Sequence, residues 1–126
     1  MGGVAASGGY WISVSSDYIF AEETTITGSI GVAAILFNAE EAIKKIGLKE
    51  DGVSFSPISG SFENQIFLSK PNEQMISLYE STIHGLYDNF IHLVSEERNL
   101  SKEEVESLGQ GRIWVGKDAK KFGLID

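Results

Sequence analysis

The sequence has 126 residues, 42% of them hydrophobic and 10% aromatic, which is enough apolar material for one domain with a buried core. Ten Lys and Arg stand against eighteen Asp and Glu, a formal net charge of -8, and the only basic clusters are Lys44-Lys45 and Lys120-Lys121, so the footprint of a nucleic-acid binder is missing. Cysteine is absent, which excludes disulfides and thiolate metal sites, and the longest nearly apolar run, Ile30 to Phe37, falls far short of the roughly 20 residues that cross a bilayer.

The chain opens on its densest motif. Gly2, Gly3, Gly8 and Gly9 surround Ser7 and lead into Tyr10-Trp11-Ile12 and Val14, a pattern that predicts a tight turn feeding a buried helix. Domains seldom begin this way, so Met1 is expected to be either an internal methionine of a longer protein or a fragment boundary. Tyr18 to Ala21 and Gly31 to Leu36 are short runs rich in β-branched and aromatic residues, and they predict buried parallel strands separated by a turn over Thr24 to Ser29.

A helix is expected from Asn38, as N-cap, to Ile46, with Gly47 as its stop; Leu48 to Val53 would then be a strand and Ser54 to Gly60 a loop. Pro71 suits a first helical position, and Met75, Tyr79, Ile83, Leu86, Phe90 and Leu93 recur at helical spacing up to about Arg98. Ser101 and Glu104 have capping-box spacing, Arg112 to Val115 reads as a strand, and Asp118 to Phe122 as a last helical turn before Gly123. Strands alternating with helices argue for an α/β domain with a mainly parallel sheet, but with too few strands to be complete.

The chemistry-bearing segment is Gly2-Gly3-Val4-Ala5-Ala6-Ser7-Gly8-Gly9-Tyr10. It sets one hydroxyl among small residues at a turn into a helix, where a nucleophile gains access and free backbone donors; the Gly8 amide could serve as one oxyanion donor, worth about 3 to 4 kcal/mol. Glycine- and alanine-rich turns also occur simply where a helix packs close to a sheet.

Three blocks, in order, resemble the signal peptide peptidase A (protease IV) family. Met1 to Trp11 looks like its nucleophile motif, Thr24-Thr25-Ile26-Thr27-Gly28-Ser29-Ile30-Gly31-Val32 like its second signature, and Gly111 to Asp126 like its C-terminal element. The resemblance implies a Clp protease/crotonase-like α/β fold and a Ser/Lys dyad that cleaves hydrophobic peptides such as released signal peptides. It implies Ser7 as nucleophile, Gly8 as oxyanion donor and Ser29 as the hydroxyl that orients the lysine. It further implies an oligomeric, membrane-associated parent, in a bacterial inner membrane or a thylakoid-like one, anchored by residues outside these. No cofactor is expected.

A lysine base must be desolvated so that its pKa falls from about 10.4 toward neutrality. In the family's short forms it follows the strand matched here by Leu48 to Val53, yet this chain reads Gly52-Val53-Ser54-Phe55-Ser56-Pro57-Ile58, with no lysine. That pattern is similar to the C-terminal half of the long, duplicated form, whose N-terminal half supplies the base. The expectation is therefore a partial domain, its upstream strands, lysine and second oxyanion donor lying before Met1. The eight lysines present read as solvated charges.

Other readings stay open at this point. His84 and Asp88 are four residues apart and could complete a self-contained Ser7, His84, Asp88 triad. His84 and His92 lack the carboxylate spacing of a metal site. A catalytically incomplete packing or scaffold fragment is a third reading, and an acyl-CoA-handling crotonase relative a fourth, disfavoured by the Ala-Ser-Gly-Gly-Tyr block.

Overall fold

The computed structural model describes residues 1–49, 52–53, 55–56, 58 and 70–126, and the chain divides into two units, Met1–Val32 with His84–Asp126, and Ala33–Ile83. In the first unit three short strands form a mixed sheet in the order β1 (Val4–Ala6), β2 (Ile26–Gly28), β3 (Ile113–Val115). β1 and β2 are parallel, with α1 (Gly8–Val14) in the connection between them, whereas β2 and β3 are antiparallel.

β2 occupies the segment expected to be a turn. Thr25 and Thr27 are β-branched and fully buried, and their hydroxyls donate to backbone carbonyls beside the neighbouring strand, Thr25 Oγ1 to Gly2 O at 2.9 Å and Thr27 Oγ1 to Ala5 O at 2.7 Å. The strands expected at Tyr18 to Ala21 and Gly31 to Leu36 do not form. Around Ile19 the backbone is satisfied instead by one residue: its amide donates to Asp126 Oδ2 at 2.9 Å and its carbonyl accepts from the Asp126 amide at 3.2 Å. With no ladder beside it, Phe20 is left 74% exposed, and Ile35 in the other segment is equally open. The described residues of Leu48 to Val53 are not strand either, while residues 50 and 51 lie outside the described set, as do most of Ser54 to Gly60.

The helices follow their local signals closely. α2 (Glu40–Lys45) has Ala39, not Asn38, at its N-cap, although Asn38 Oδ1 accepts from the Glu40 amide at 3.1 Å, and Gly47 closes it at φ 76°. α3 (Glu73–Arg98) has Glu73, not Pro71, as its first helical residue, with Asn72 before it: Asn72 Oδ1 accepts from the Met75 amide at 2.8 Å. α4 (Lys102–Leu108) carries the expected reciprocal capping box between Ser101 and Glu104. α5 (Gly116–Lys121) ends before Gly123 at φ 76°.

In the first unit the core forms where Tyr10 and Val14 of α1 meet Phe90, Ile91 and Val94 of α3, Val105 of α4 and Leu124, each such side chain contributing about 1.5 to 3 kcal/mol. Trp11 packs on Phe90 at a tilt of 37°, with ring centroids 4.3 Å apart. Leu86, expected on the buried face of the long helix, is exposed, and the stripe shifts to Tyr87, Phe90, Ile91 and Val94. One face of the sheet carries Thr27 into the core, while the other presents Val4, Ile26 and Val115 in a single register row, with Ile113 beside them, all exposed.

The C-terminal segment is clasped by Arg98. Its Nη1 and Nη2 donate to Asp126 Oδ2 and Oδ1, each at 3.1 Å, and its Nε donates to Gly123 O at 2.8 Å. These bonds, Arg98 first and the Ile19 amide second, hold the Asp126 carboxyl below its ordinary range. A carboxyl whose pKa is lowered by folding adds stability that is present above the ordinary carboxylate range, about 4, and is lost as pH falls through the lowered value. Asp126→Asn is therefore expected to lower Tm at neutral pH and to flatten the fall of Tm as pH drops below about 4; a pH profile parallel to wild type would remove Asp126 as its source.

Candidate functional site

Ser7 joins β1 to α1 in a backbone conformation, φ 53° and ψ −120°, that L-residues rarely adopt. Its amide donates to Gly28 O at 2.9 Å, and one turn on, the Trp11 amide donates to Ser7 O, also at 2.9 Å. The residue is exposed, as is Gly8. Gly8 is the first residue of α1, and amides in a helical first turn have no intrahelical acceptor, so its N–H is free to face an oxygen beside Ser7. A Cβ added at Gly8 would meet nothing within 4 Å.

Ser29 stands in the equivalent place after β2, half-buried and also at positive φ, 52°, its amide donating to Arg112 O at 2.7 Å. Since Ala6 pairs with Gly28, the two serines follow the C-terminal ends of adjacent parallel strands, which is where open α/β sheets gather ligands. All three residues singled out from sequence, Ser7, Gly8 and Ser29, thus lie at one end of the β1–β2 pair.

Gly28 was not singled out, yet it fixes this end of the sheet. Its φ is +73°, and a Cβ there would lie 2.8 Å from Trp114 Cδ1 and 3.3 Å from Arg112 O, so a larger residue must displace the Trp114 indole and press on the carbonyl that holds Ser29, while the carbonyl of Gly28 itself holds Ser7. Trp114 is itself tethered, its Nε1 donating to Leu108 O at 3.0 Å. The sequence signal was present in Thr27-Gly28-Ser29, a glycine between two hydroxyl residues, but only the register shows why it matters.

The self-contained triad is not assembled. His84 and Asp88 are both exposed on α3, and among the described residues no hydrogen bond or ion pair joins them to each other or to Ser7. The histidine that does meet a carboxylate is His92, 3.5 Å from Glu96. Among the described residues no group of three His, Cys, Asp or Glu could hold a metal ion. All eight lysines are exposed. Lys44 pairs with Glu40 at 2.6 Å, and that hydrogen bond pushes its ammonium up from its ordinary value, away from what a base needs. Lys121 pairs with Asp118 at 2.8 Å.

An exposed serine on a strained strand-to-helix turn, with a helix-start amide beside it, is the arrangement by which serine hydrolases present a nucleophile. The chain belongs to peptidase family S49, whose profile matches residues 1–126. It is 45% identical over 126 residues to Protease 4 of Haemophilus influenzae and 42% identical over 126 residues to Protease 4 of Salmonella typhi, in each case across 100% of this chain and 20% of the relative. It is also 36% identical to the chloroplastic serine protease SPPA of Arabidopsis thaliana, over 100% of this chain and 18% of that protein. The chain thus spans about a fifth of the length of these curated relatives.

Strain at Ser7 has a measurable signature. Glycine adopts φ 53° without the Cβ conflict that serine and alanine share, so Ser7→Gly is expected to be more stable than Ser7→Ala by about 1 kcal/mol. Chemical denaturation of the two variants checks this, and equal stabilities would mean that the turn is relaxed.

Proposed function

We propose that this chain is the nucleophile-bearing part of a serine endopeptidase of the signal peptide peptidase A type. The observation that carries the reading is Ser7 itself, exposed on a strained turn at the C-terminal end of a parallel strand pair. Ser7 Oγ attacks the scissile carbonyl and forms an acyl-enzyme; the Gly8 amide stabilises the oxyanion, and Ser29 orients the lysine that takes the Ser7 proton and passes it to the leaving amine. Water then hydrolyses the ester. Hydrophobic peptides such as released signal peptides are the substrate class, and the complete enzyme is a membrane-associated homo-oligomer.

The lysine comes from polypeptide outside these 126 residues. Two features support this: every lysine present is exposed, with nothing to desolvate it as a base requires, and the apolar row Val4, Ile26 and Val115 lies open as it would where the rest of a domain packs. Among the described residues no helix is long and apolar enough to cross a membrane, so the reading places any anchor elsewhere as well.

In the complete protein, Ser7→Ala is expected to lower peptidase activity toward an apolar peptide by at least about 10³-fold and to abolish labelling by a fluorophosphonate. Retained activity would reject the nucleophile. Ser29→Ala is expected to reduce kcat by about 10- to 100-fold with little change in KM, since it acts on the base and not on substrate binding. The isolated 126-residue chain should label far more slowly than the complete protein; equal rates would place the base within this chain.

A further inference from the structure

We infer that Tyr10 and Arg98 are positioning residues for Ser7, acting through a clasp on the segment from Gly123 to Asp126. The inference rests on the reading of Ser7 as the nucleophile. α1 has only seven residues, too few to be stable by itself, and it starts from a serine whose backbone is held in a sparsely populated region. Such a conformation persists only where the surroundings over-determine it. The Gly28 carbonyl fixes the turn on its sheet side. On the core side the fixing group is the hydroxyl of Tyr10, three residues beyond Ser7, fully buried, which donates to Leu124 O at 2.7 Å across a sequence separation of 114 residues.

That acceptor is held in its turn. Leu124 is fully buried and its amide donates to Ala119 O at 2.9 Å. On one side of it the Gly123 carbonyl accepts from Arg98 Nε; on the other the Asp126 carboxylate accepts from both Arg98 Nη groups and from the Ile19 amide, while the Asp126 backbone amide donates to Ile19 O. Arg98 is 89% removed from solvent as a side chain, its exposure being 11%, so these bonds are little weakened by water. The path from Arg98 to Ser7 therefore runs through directed hydrogen bonds and one short helix. Removal of the Tyr10 hydroxyl leaves the Leu124 carbonyl without its donor and frees the buried end of α1. A displacement of about 1 Å at a nucleophile lowers a rate by up to about 100-fold.

The test uses Tyr10→Phe in the complete protein, well below its Tm, with kcat and KM for an apolar peptide and the rate of fluorophosphonate labelling per folded molecule. We expect kcat and the labelling rate to fall together by about 5- to 50-fold, with KM within about twofold of wild type. Ser95→Ala, which removes a side-chain hydrogen bond to Leu100 O (2.6 Å) in the same unit, is expected to lower Tm while leaving kcat unchanged. Arg98→Lys keeps the charge but not the two-pronged geometry, and it should reproduce the kcat effect if Tyr10→Phe does not fold. A folded Tyr10→Phe or Arg98→Lys enzyme with wild-type kcat and labelling rate overturns the clasp while leaving Ser7 as nucleophile. An active Ser7→Ala enzyme removes the foundation itself.

Discussion

The hydrogen bond from the Ser7 amide to the Gly28 carbonyl is where the sheet passes its geometry to the site. It extends the β1–β2 pairing by one residue past the last paired position, Ala6 with Gly28, and so holds Ser7 in a conformation that its side chain disfavours. The acceptor is equally constrained, because Gly28 has a positive φ and the Trp114 indole occupies the space a side chain would need. Trp114 belongs to β3 and is anchored to the end of α4 through Leu108. Three strands and two helices thus converge on one amide and one carbonyl, and Ser29 inherits its place from the same junction.

What could be read from the sequence was what depends on near neighbours. The capping box at Ser101 and Glu104, the stops at Gly47 and Gly123, and the extent of the long helix are set within a few residues, and the structure keeps them. The small-residue setting of Ser7 is local in the same sense. Strands are different, since a strand exists only by virtue of a partner, and three residues are too short to show an alternating pattern. Tyr18 to Ala21 has the composition of a strand but meets one aspartate, whereas Ile26–Gly28, with two threonines about it, has the composition of a turn but finds a partner on each side. Nor could any pattern announce that Tyr10 reaches Leu124 or that Arg98 closes on Asp126, because these contacts are made by the fold.

Electrostatics and packing point the same way in the proposed reading. The described site offers an exposed serine hydroxyl and a helix-start amide, but its lysines lie in water and its sheet shows an apolar face to solvent. A lysine base needs what these residues do not supply, a dry environment, and an apolar sheet face needs something to cover it. A single additional layer of protein over the sheet would meet both needs.

The first unit is assembled from two stretches of chain, Met1–Val32 and His84–Asp126, with fifty-one intervening residues, Ala33–Ile83, in the second. Its central contacts therefore span more than a hundred positions, as Tyr10 to Leu124 and Ile19 to Asp126 do. During synthesis the motif that bears Ser7 is made before α3 and α4, and β3, α5 and the Asp126 partner of Arg98 follow later still. Until then β2 lacks its second neighbour and the Tyr10 hydroxyl its Leu124 acceptor. The order of translation thus delays closure of the unit around Ser7 until the last of these residues has been made.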